Sequence, residues 1–190
     1  MKFSWFLGLI VVSALLASCS SGKKPGASFS TQPVIKNVDD TAQVAETMRT
    51  ADFKTVDISN ASNIEIVLCP DSACKLRKLS NRSYRVVAPS LEAIKVNGCG
   101  KLHVSGKNPK CSHFVLDLQK VNVAMIDPLL SADQVDAKID NCMFTHFRVN
   151  CTKMQFSAHS IGHVKVFGHA KSVTWDVDNM KQIDAKSLGH

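Results

Sequence analysis

The chain has 190 residues, 45% of them hydrophobic, and carries a formal net charge of +7. This length suffices for one domain whose buried core needs no metal to fold. The positive charge suits anionic partners, but no run of basic residues is interleaved with aromatic ones, and we therefore predict no nucleic-acid partner.

The first element is an uncharged run from Phe3 to Ser18, which follows Lys2. It is too short for an ordinary membrane-spanning helix and has the length of a signal-peptide apolar core. The run ends in Leu16-Ala17-Ser18 directly before Cys19, an order that resembles the lipobox of bacterial lipoproteins. The resemblance implies that residues 1–18 are removed and that Cys19 carries the lipid, palmitate included, that tethers the protein to a membrane. An ordinary secretory signal followed by an incidental cysteine is the alternative.

Residues 19–52 are predicted to form a lipidated linker. The stretch from Ser20 to Gln32 is rich in Ser, Gly, Lys and Pro, which is typical of a flexible spacer. Farther on, Asp39-Asp40-Thr41 precedes an apolar pattern that ends at Met48, and this arrangement predicts a short capped helix. Serine rather than aspartate directly after the lipidated cysteine resembles the sorting signal for the bacterial outer membrane.

From residue 53 to residue 190 the pattern predicts an all-β domain. Short segments alternate apolar and polar residues, and Asn, Gly, Asp, Ser or Lys follows each one within a few positions. No segment here shows a helical period of useful length. The alternating segments are 56–58, 64–68, 84–86, 94–96, 102–104, 114–118, 121–125, 147–149, 154–156, 164–166 and 173–177.

An internal repeat narrows the architecture. The segment Leu102–Lys107 resembles Val164–His169, and each is followed by an alternating strand and then by an Ile-Asp pair, Ile126-Asp127 in the first case and Ile183-Asp184 in the second. Short strands that recur in this way, with turn residues between them, predict a β-solenoid in which each coil covers the core of the next. A sandwich or jelly roll built from the same strands is the alternative.

Four segments together resemble the head GIN domain family of auto-transporter adhesins. They are the opening strand Phe53–Ile58, the second strand Asn63–Leu68, and the C-terminal pieces Val164–Ala170 and Ile183–Leu188. Members of that family are exported and often lipidated. The resemblance implies a right-handed parallel β-helix for residues 53–190 and an adhesin-like role, and it favours the solenoid over the sandwich.

Cysteine usage agrees with an exported chain. Six cysteines remain besides the one in the lipobox, and an even number in an oxidising compartment predicts disulfides. Pairing of sequence neighbours is the simplest arrangement, and buried free cysteines are the alternative. No C-x-x-C pair occurs, so a zinc ribbon is not indicated. The predicted pairs are Cys69 with Cys74, Cys99 with Cys111, and Cys142 with Cys151.

The histidines have the spacing of a metal cluster in one place, at His159, His163 and His169. Strand alternation, however, puts His103, His113 and His163 directly before inward apolar residues and hence on the outer surface. We therefore predict scattered surface histidines, with no metal site and no cofactor.

Two aromatic residues of the C-terminal strands are assigned opposite environments. Trp175 alternates in phase with Val173 and Val177, which predicts a core position, whereas Phe167 is out of phase and is predicted to be exposed near Lys165.

No catalytic motif is found in the sequence. Asp176 and Asp178 share one side of a strand, but nothing indicates the cleft that a glycosidase carboxylate pair requires. No G-x-S-x-G nucleophile elbow occurs. We therefore predict that the protein is not an enzyme.

The sequence thus predicts a non-enzymatic outer-membrane lipoprotein whose β-solenoid binds a glycan, a lipopolysaccharide or a protein ligand. The alternative is a structural, envelope-maintenance lipoprotein that faces the periplasm and has no external ligand, and the third hypothesis is a polysaccharide-active enzyme. An outward strip of aligned aromatics favours binding, a uniformly Lys/Asp/Asn surface favours the structural role, and a groove lined by clustered acids favours the enzyme.

Overall fold

A computed structural model describes residues 34–35, 48–49 and 53–189 of the chain. The signal peptide, Cys19 and most of the predicted helix lie outside these residues. The strands are, in chain order, β1 (Val34–Ile35), β2 (Met48–Arg49), β3 (Thr55–Leu68), β4 (Lys75–Ser80), β5 (Ser83–Ala88), β6 (Ala93–Gly106), β7 (Cys111–Asp140) and β8 (Phe144–Gly189). The described part of the chain is all-β, as predicted, and contains no helix that could cross a membrane.

The four long strands wind into a β-solenoid, which confirms the predicted architecture. β3 pairs in parallel with β6, β6 with β7, and β7 with β8. The apolar residue Val56 thereby lies beside Ile94, which in turn lies beside Leu116. Because neighbouring strands keep this register, each inward side chain stacks on its equivalent in the next coil.

One corner of the coil recurs because a residue there adopts a left-handed backbone conformation each time. This corner column consists of Asn60, Gly98, Lys120, Asn141, Ser160 and Asn179, with φ between 46° and 72°. Asparagine and glycine enter this region at the lowest steric cost, which explains why three of the six are asparagines and one is glycine. The column fixes where the chain turns within every coil.

The core is a single column of apolar side chains inside the coils. Along β3 the burial alternates strictly on both sides of the corner, so that Val56, Ile58, Ile64, Ile66 and Leu68 are buried. The largest fully buried side chains farther along include three phenylalanines, Phe114, Phe147 and Phe156, and the last two stack with ring centroids 6.3 Å apart. This apolar burial is the main force that holds the coils together.

The N-terminal end of the solenoid is covered by shorter strands. β5 pairs in parallel with the second half of β3, β4 pairs antiparallel with β5, and β2 pairs antiparallel with β4. β1 pairs with the first half of β3. Two pieces of the predicted linker therefore belong to the sheet, and Met48 lies in a strand rather than at the end of a helix. Pairing with the exposed edge of β4 satisfies the backbone there better than an isolated short helix would.

The C-terminal end of the solenoid is open. Val173 packs partly against the core and Trp175 meets Phe156 edge to face, with ring centroids 5.1 Å apart, so the predicted inward phase is correct. The predicted burial of Trp175 is wrong, however, because 42% of its surface is exposed. No described strand lies on the far side of this coil, so its inward side chains have a neighbouring coil on one side only.

Candidate functional site

Two outer faces of the solenoid carry the polar and aromatic side chains. The first face holds the outward residues of segments 55–59, 93–97, 115–119, 136–140, 155–159 and 174–178, ahead of the corner column. The second face holds those of segments 63–67, 101–105, 123–127, 144–148 and 163–167, after it. Strand pairing across the coils sets both groups of segments side by side. The first face is dominated by acids, amides and lysines, and the second contains rings.

Four rings form a patch on the second face, which we call the ring patch: Phe144, His146, His163 and Phe167. Phe144 and His163 meet edge to face with centroids 5.4 Å apart, and His146 and Phe167 do the same at 5.1 Å. Each ring is half-buried, so one side packs on a neighbour and the other is open to solvent. The alternation that directs Thr145, the residue between the first two, into the core is what directs these rings outward.

The neighbouring coil extends the ring patch with apolar side chains. Val123 lies beside Phe144, and Met125 lies beside His146, and both are half-buried. Edge-to-face pairs are a preferred arrangement for rings and hold them in fixed orientations. The result is a firm, partly apolar platform on an otherwise polar surface.

Positive charge borders the ring patch. Lys165 lies between His163 and Phe167 on the same strand, and both of its chain neighbours are buried, so it too faces outward. Arg148 is exposed two positions after His146. Of the acids near by, Asp127 accepts a hydrogen bond from His103 at 2.9 Å and Asp184 lies on the last coil. The platform therefore combines ring faces with cationic side chains.

The position of Phe167 agrees in part with its prediction. It faces outward beside Lys165, as expected, but it is half-buried against His146 instead of standing free. His163 also faces outward, while its Nε2 atom is buried and has no hydrogen-bond partner. Sequence alternation gives the direction of each of these side chains, but it does not reveal that residues about one coil apart form pairs.

On the first face, charged side chains of opposite sign lie beside one another. Lys95 lies between Asp57 and Asp117 on adjacent strands, and the three border a depression of about 240 Å³. Gln119 donates a hydrogen bond to Asp117 at 3.2 Å. The positive charge of Lys95 offsets part of the negative charge of the two carboxylates, so this depression differs from the groove of clustered acids that a polysaccharide-cleaving enzyme requires.

A Ser–His–Asp chain lies at the end of the first face and was missed by the sequence analysis. Ser157 Oγ lies 2.9 Å from His159 Nε2, and His159 Nδ1 lies 2.9 Å from Asp178 Oδ1. The hydrogen bond that His159 donates to Asp178 raises the pKa of His159, with a smaller contribution from the charge of Asp176. This order of groups is the one found in acyl-transfer triads. The only sequence signal for it is that the histidine and the serine share one side of a strand.

Solvent exposure separates this chain of hydrogen bonds from a typical triad. The side chains of Asp176 and Asp178 are 74% and 70% exposed, whereas the acid of a catalytic triad is buried. Ser157 Oγ also lies 3.4 Å from Asp176 Oδ2. The clear structural effect of the arrangement is to connect the last two coils.

The histidines do not gather into one site. His159 pairs with Asp178 on the first face, His163 packs on Phe144 on the second, and His169 borders a different depression. His103 and His113 lie on the outer surface as predicted, each paired with an aspartate. Among the described residues no group of three or more His, Cys, Asp or Glu side chains is arranged to hold a metal ion.

The six described cysteines are free thiols in the structure, and the predicted disulfide pairs stay a prediction. Cys99 lies beside Val121 on the neighbouring strand. Cys142 lies next to the same position, as the hydrogen bond from the Met143 amide to the Val121 carbonyl shows. Cys111 and Cys151 lie around another part of the coil, against segment 131–132. Cys99 and Cys142 thus lie at one part of the coil, and Cys111 and Cys151 lie at another. Of the two cysteines in the turn after β3, Cys69 is exposed and Cys74 is buried.

Comparison with known proteins finds no protein-family model that matches the chain and no similar sequence among curated proteins. The resemblance to the head GIN domain family therefore stays a prediction. What the protein does has to be argued from its surface.

Proposed function

We propose that this protein is a lipid-anchored binding protein of the bacterial outer membrane and that the ring patch binds an anionic glycan, such as the saccharide part of lipopolysaccharide. The observation that carries the proposal is the set of four outward rings held in two edge-to-face pairs. Aromatic and arginine side chains are enriched where protein surfaces make contacts. The outer face of a solenoid is also the extended surface that such proteins use for binding.

The charge next to the rings supports an anionic ligand. Lys165 and Arg148 supply ammonium and guanidinium donors suited to phosphate or carboxylate groups. The half-exposed rings of Phe144 and Phe167 supply apolar faces for the C–H side of a sugar. Removal of residues 1–18, which contain Lys2 and no acid, leaves a formal net charge of +7 − 1 = +6, and this charge attracts an anionic polymer to the whole molecule before these contacts form.

The binding test uses the purified full chain with lipopolysaccharide, its deacylated core oligosaccharide and neutral dextran as probes. We expect the two anionic probes to bind, with affinity that falls as salt rises, and dextran to bind weakly or not at all. Phe167→Ala is expected to weaken binding at least about tenfold, and Lys165→Glu is expected to do the same. The matched controls are Leu79→Ala and Lys75→Glu, which change exposed residues of the β4–β5 hairpin far from the patch.

Several outcomes would contradict the proposal. Equal loss of binding in the hairpin controls would show that general surface charge binds the probe. Binding by wild type that survives Phe167→Ala and Lys165→Glu together would exclude the ring patch. Binding of lipopolysaccharide without binding of its deacylated core would show that the lipid, and not the saccharide, is recognised.

The compensated first face favours the alternative function, a structural lipoprotein that faces the periplasm. Its outward residues alternate in charge, as Asp57, Lys95 and Asp117 do. Protease treatment of intact and of lysed cells separates the two roles. Digestion of the domain on intact cells would support an outward-facing binding protein, whereas protection until lysis would support the periplasmic role.

The Ser157–His159–Asp178 chain favours an ester hydrolase as a further candidate function. A fluorophosphonate probe, which labels activated serines, tests it directly. Labelling of the full chain that is lost in Ser157→Ala would support hydrolase activity. Absence of labelling in the wild-type chain would remove this candidate and leave the hydrogen bonds with a structural role.

A further inference from the structure

The last coil of the solenoid, segment 173–188 of β8, exposes side chains that earlier coils bury. Trp175 is 42% exposed, Val177 43% and Ile183 40%. In the coil before, the inward side chains Phe156 and Ala158 are only 1% and 0% exposed. Three large apolar side chains open to solvent at one end of a domain mark an interaction surface or an aggregation hazard.

The backbone of the last coil is also uncovered along its outer edge. β8 stands at the end of the strand order, so no described strand pairs with the side that faces away from β7. A long strand edge of this kind is a template for pairing with another chain. Apolar side chains and free backbone donors and acceptors therefore occur on the same surface.

The two ends of the solenoid are not equivalent. β1, β2, β4 and β5 lie on the N-terminal end and pair, directly or in series, with β3. Head-to-tail stacking of copies would have to displace these strands. Pairing of two open C-terminal ends displaces nothing, and it closes after two copies because each surface meets its own equivalent.

We propose that a second copy of this chain covers the open end, so that the last coils of two molecules pair edge to edge around a two-fold axis. If the axis passes through the corner at Asn179, the strand with Trp175 runs antiparallel to the strand with Ile183 of the second copy. The two apolar side chains then face each other. The same geometry brings Asp178 of the first face near Lys181 of the other copy, and it sets Asp184 opposite Thr174.

Pairing of this kind buries Trp175, Val177 and Ile183 from both copies and supplies hydrogen-bond partners for the free edge. A tryptophan at the centre of an interface is a frequent source of binding energy. The proposal does not rest on glycan binding, since the ring patch lies on the outer surface of the coils and the pairing surface lies at their end. Either one can fail while the other holds.

The test measures the mass of the purified full chain by sedimentation velocity, in one detergent throughout so that any micelle contribution is constant. We expect wild type to be a dimer. Val177→Lys and Ile183→Lys each place a charge on the pairing surface at a side chain that already reaches solvent, so circular dichroism should remain that of the folded wild type. Both variants are expected to be monomers. Leu129→Lys, which changes a side chain 38% exposed on β7 and away from the last coil, is the matched control and should remain a dimer.

Leu79→Lys distinguishes the modes of assembly, because Leu79 lies on the N-terminal hairpin and is 49% exposed. A dimer that survives this change agrees with the proposal. Larger assemblies that Leu79→Lys disrupts would show head-to-tail stacking and overturn it. A wild-type chain that stays monomeric, or a dimer that survives both Val177→Lys and Ile183→Lys, would overturn it as well.

Discussion

His159 Nδ1 lies 2.9 Å from Asp178 Oδ1, and this hydrogen bond connects the last two coils of the solenoid. The carboxylate raises the pKa of the histidine above its usual 6.5. A base whose pKa is higher in the folded than in the unfolded chain stabilises the fold while it is protonated. This contribution is fully present below about pH 6.5 and is lost as pH rises through the higher pKa of the folded state.

The last coil should therefore become less protected as pH rises through the pKa of His159. We expect Asp178→Asn to lower the protection factors of amide exchange in segment 173–189 most strongly between about pH 5 and 6, where the histidine is charged. Above the pKa that His159 has in the folded state, the protection factors of wild type and Asp178→Asn should become equal. Amide exchange followed by mass spectrometry, corrected for the intrinsic exchange rate at each pH, measures the difference.

Asp133→Asn is the control for this pH dependence. Asp133 Oδ1 lies 2.6 Å from Lys110 Nζ, so this aspartate pairs with a lysine instead of a histidine. The protection factors of Asp133→Asn should therefore differ from those of wild type by the same amount at every pH. A difference for Asp178→Asn that grows towards high pH would contradict the stabilising role of charged His159.

Gly168 is required by its backbone conformation and by its neighbour. Its φ is +116°, outside the range that other residues adopt readily, and an added Cβ would overlap the carbonyl oxygen of Val149. Gly168→Ala should lower the free energy of unfolding by about 2 to 3 kcal/mol. Asn141→Gly is the control, since Asn141 has a φ of 56° that glycine adopts without strain, and it should change stability by less than about 1 kcal/mol. Urea unfolding gives both values, and equal effects would contradict this account.

Much of the core could be predicted from alternation alone, and the exceptions in β7 have a physical cause. Val121, Val123 and Met125 alternate in sequence as one strand, yet only Val121 is fully buried, while Ala124 and Ile126 replace the other two inside. The left-handed residue just before them starts a corner, and the corner shifts the inward phase. Alternation that is interpreted as one straight strand cannot predict this shift. The shift arises because the chain turns a corner inside β7 while its backbone pairing continues.

The candidate site was less predictable than the fold. That Phe167 faces outward follows from local alternation, but its contact with His146 depends on the number of residues in one coil. The same holds for the contact between His159 and Asp178. The exposure of Trp175 depends on whether a coil lies beyond it, which no local pattern encodes. Side-chain direction is therefore a local property, whereas ring pairs and ion pairs between coils require the register.

The cysteines should differ in reactivity according to their burial. Burial raises the pKa of Cys99 to about 11 and also raises the pKa values of Cys142 and Cys151. Because the thiolate is the reactive form, these thiols should react slowly with a soluble disulfide reagent in the native protein. Cys69 is exposed and should react first. Timed labelling followed by peptide mapping gives the order.

Thiol counting in denaturant, without reducing agent, then tests the disulfide prediction. Six free thiols besides Cys19 would show that the described cysteines are all reduced in the protein, as they are in the structure. Fewer than six free thiols would show that disulfides form in the protein. The pair Cys69 and Cys74 would be the first to examine, because both belong to one turn segment.

Lipidation at Cys19 is the prediction on which the proposed location depends. Cells that express the full chain and are fed radioactive palmitate should yield a labelled product, because a lipobox cysteine takes a diacylglycerol before the segment ahead of it is cleaved. Cys19→Ser should abolish the label and leave an uncleaved form of higher mass. Cys69→Ser is the matched control, since it also removes one cysteine and changes an exposed residue of the folded domain, and it should keep the label. One acyl chain gives only marginal binding, so the two chains of a diacylglycerol are the physical reason to expect stable anchoring. An unlabelled wild-type chain, or one released by a salt wash, would contradict the anchor and leave an ordinary secretory signal.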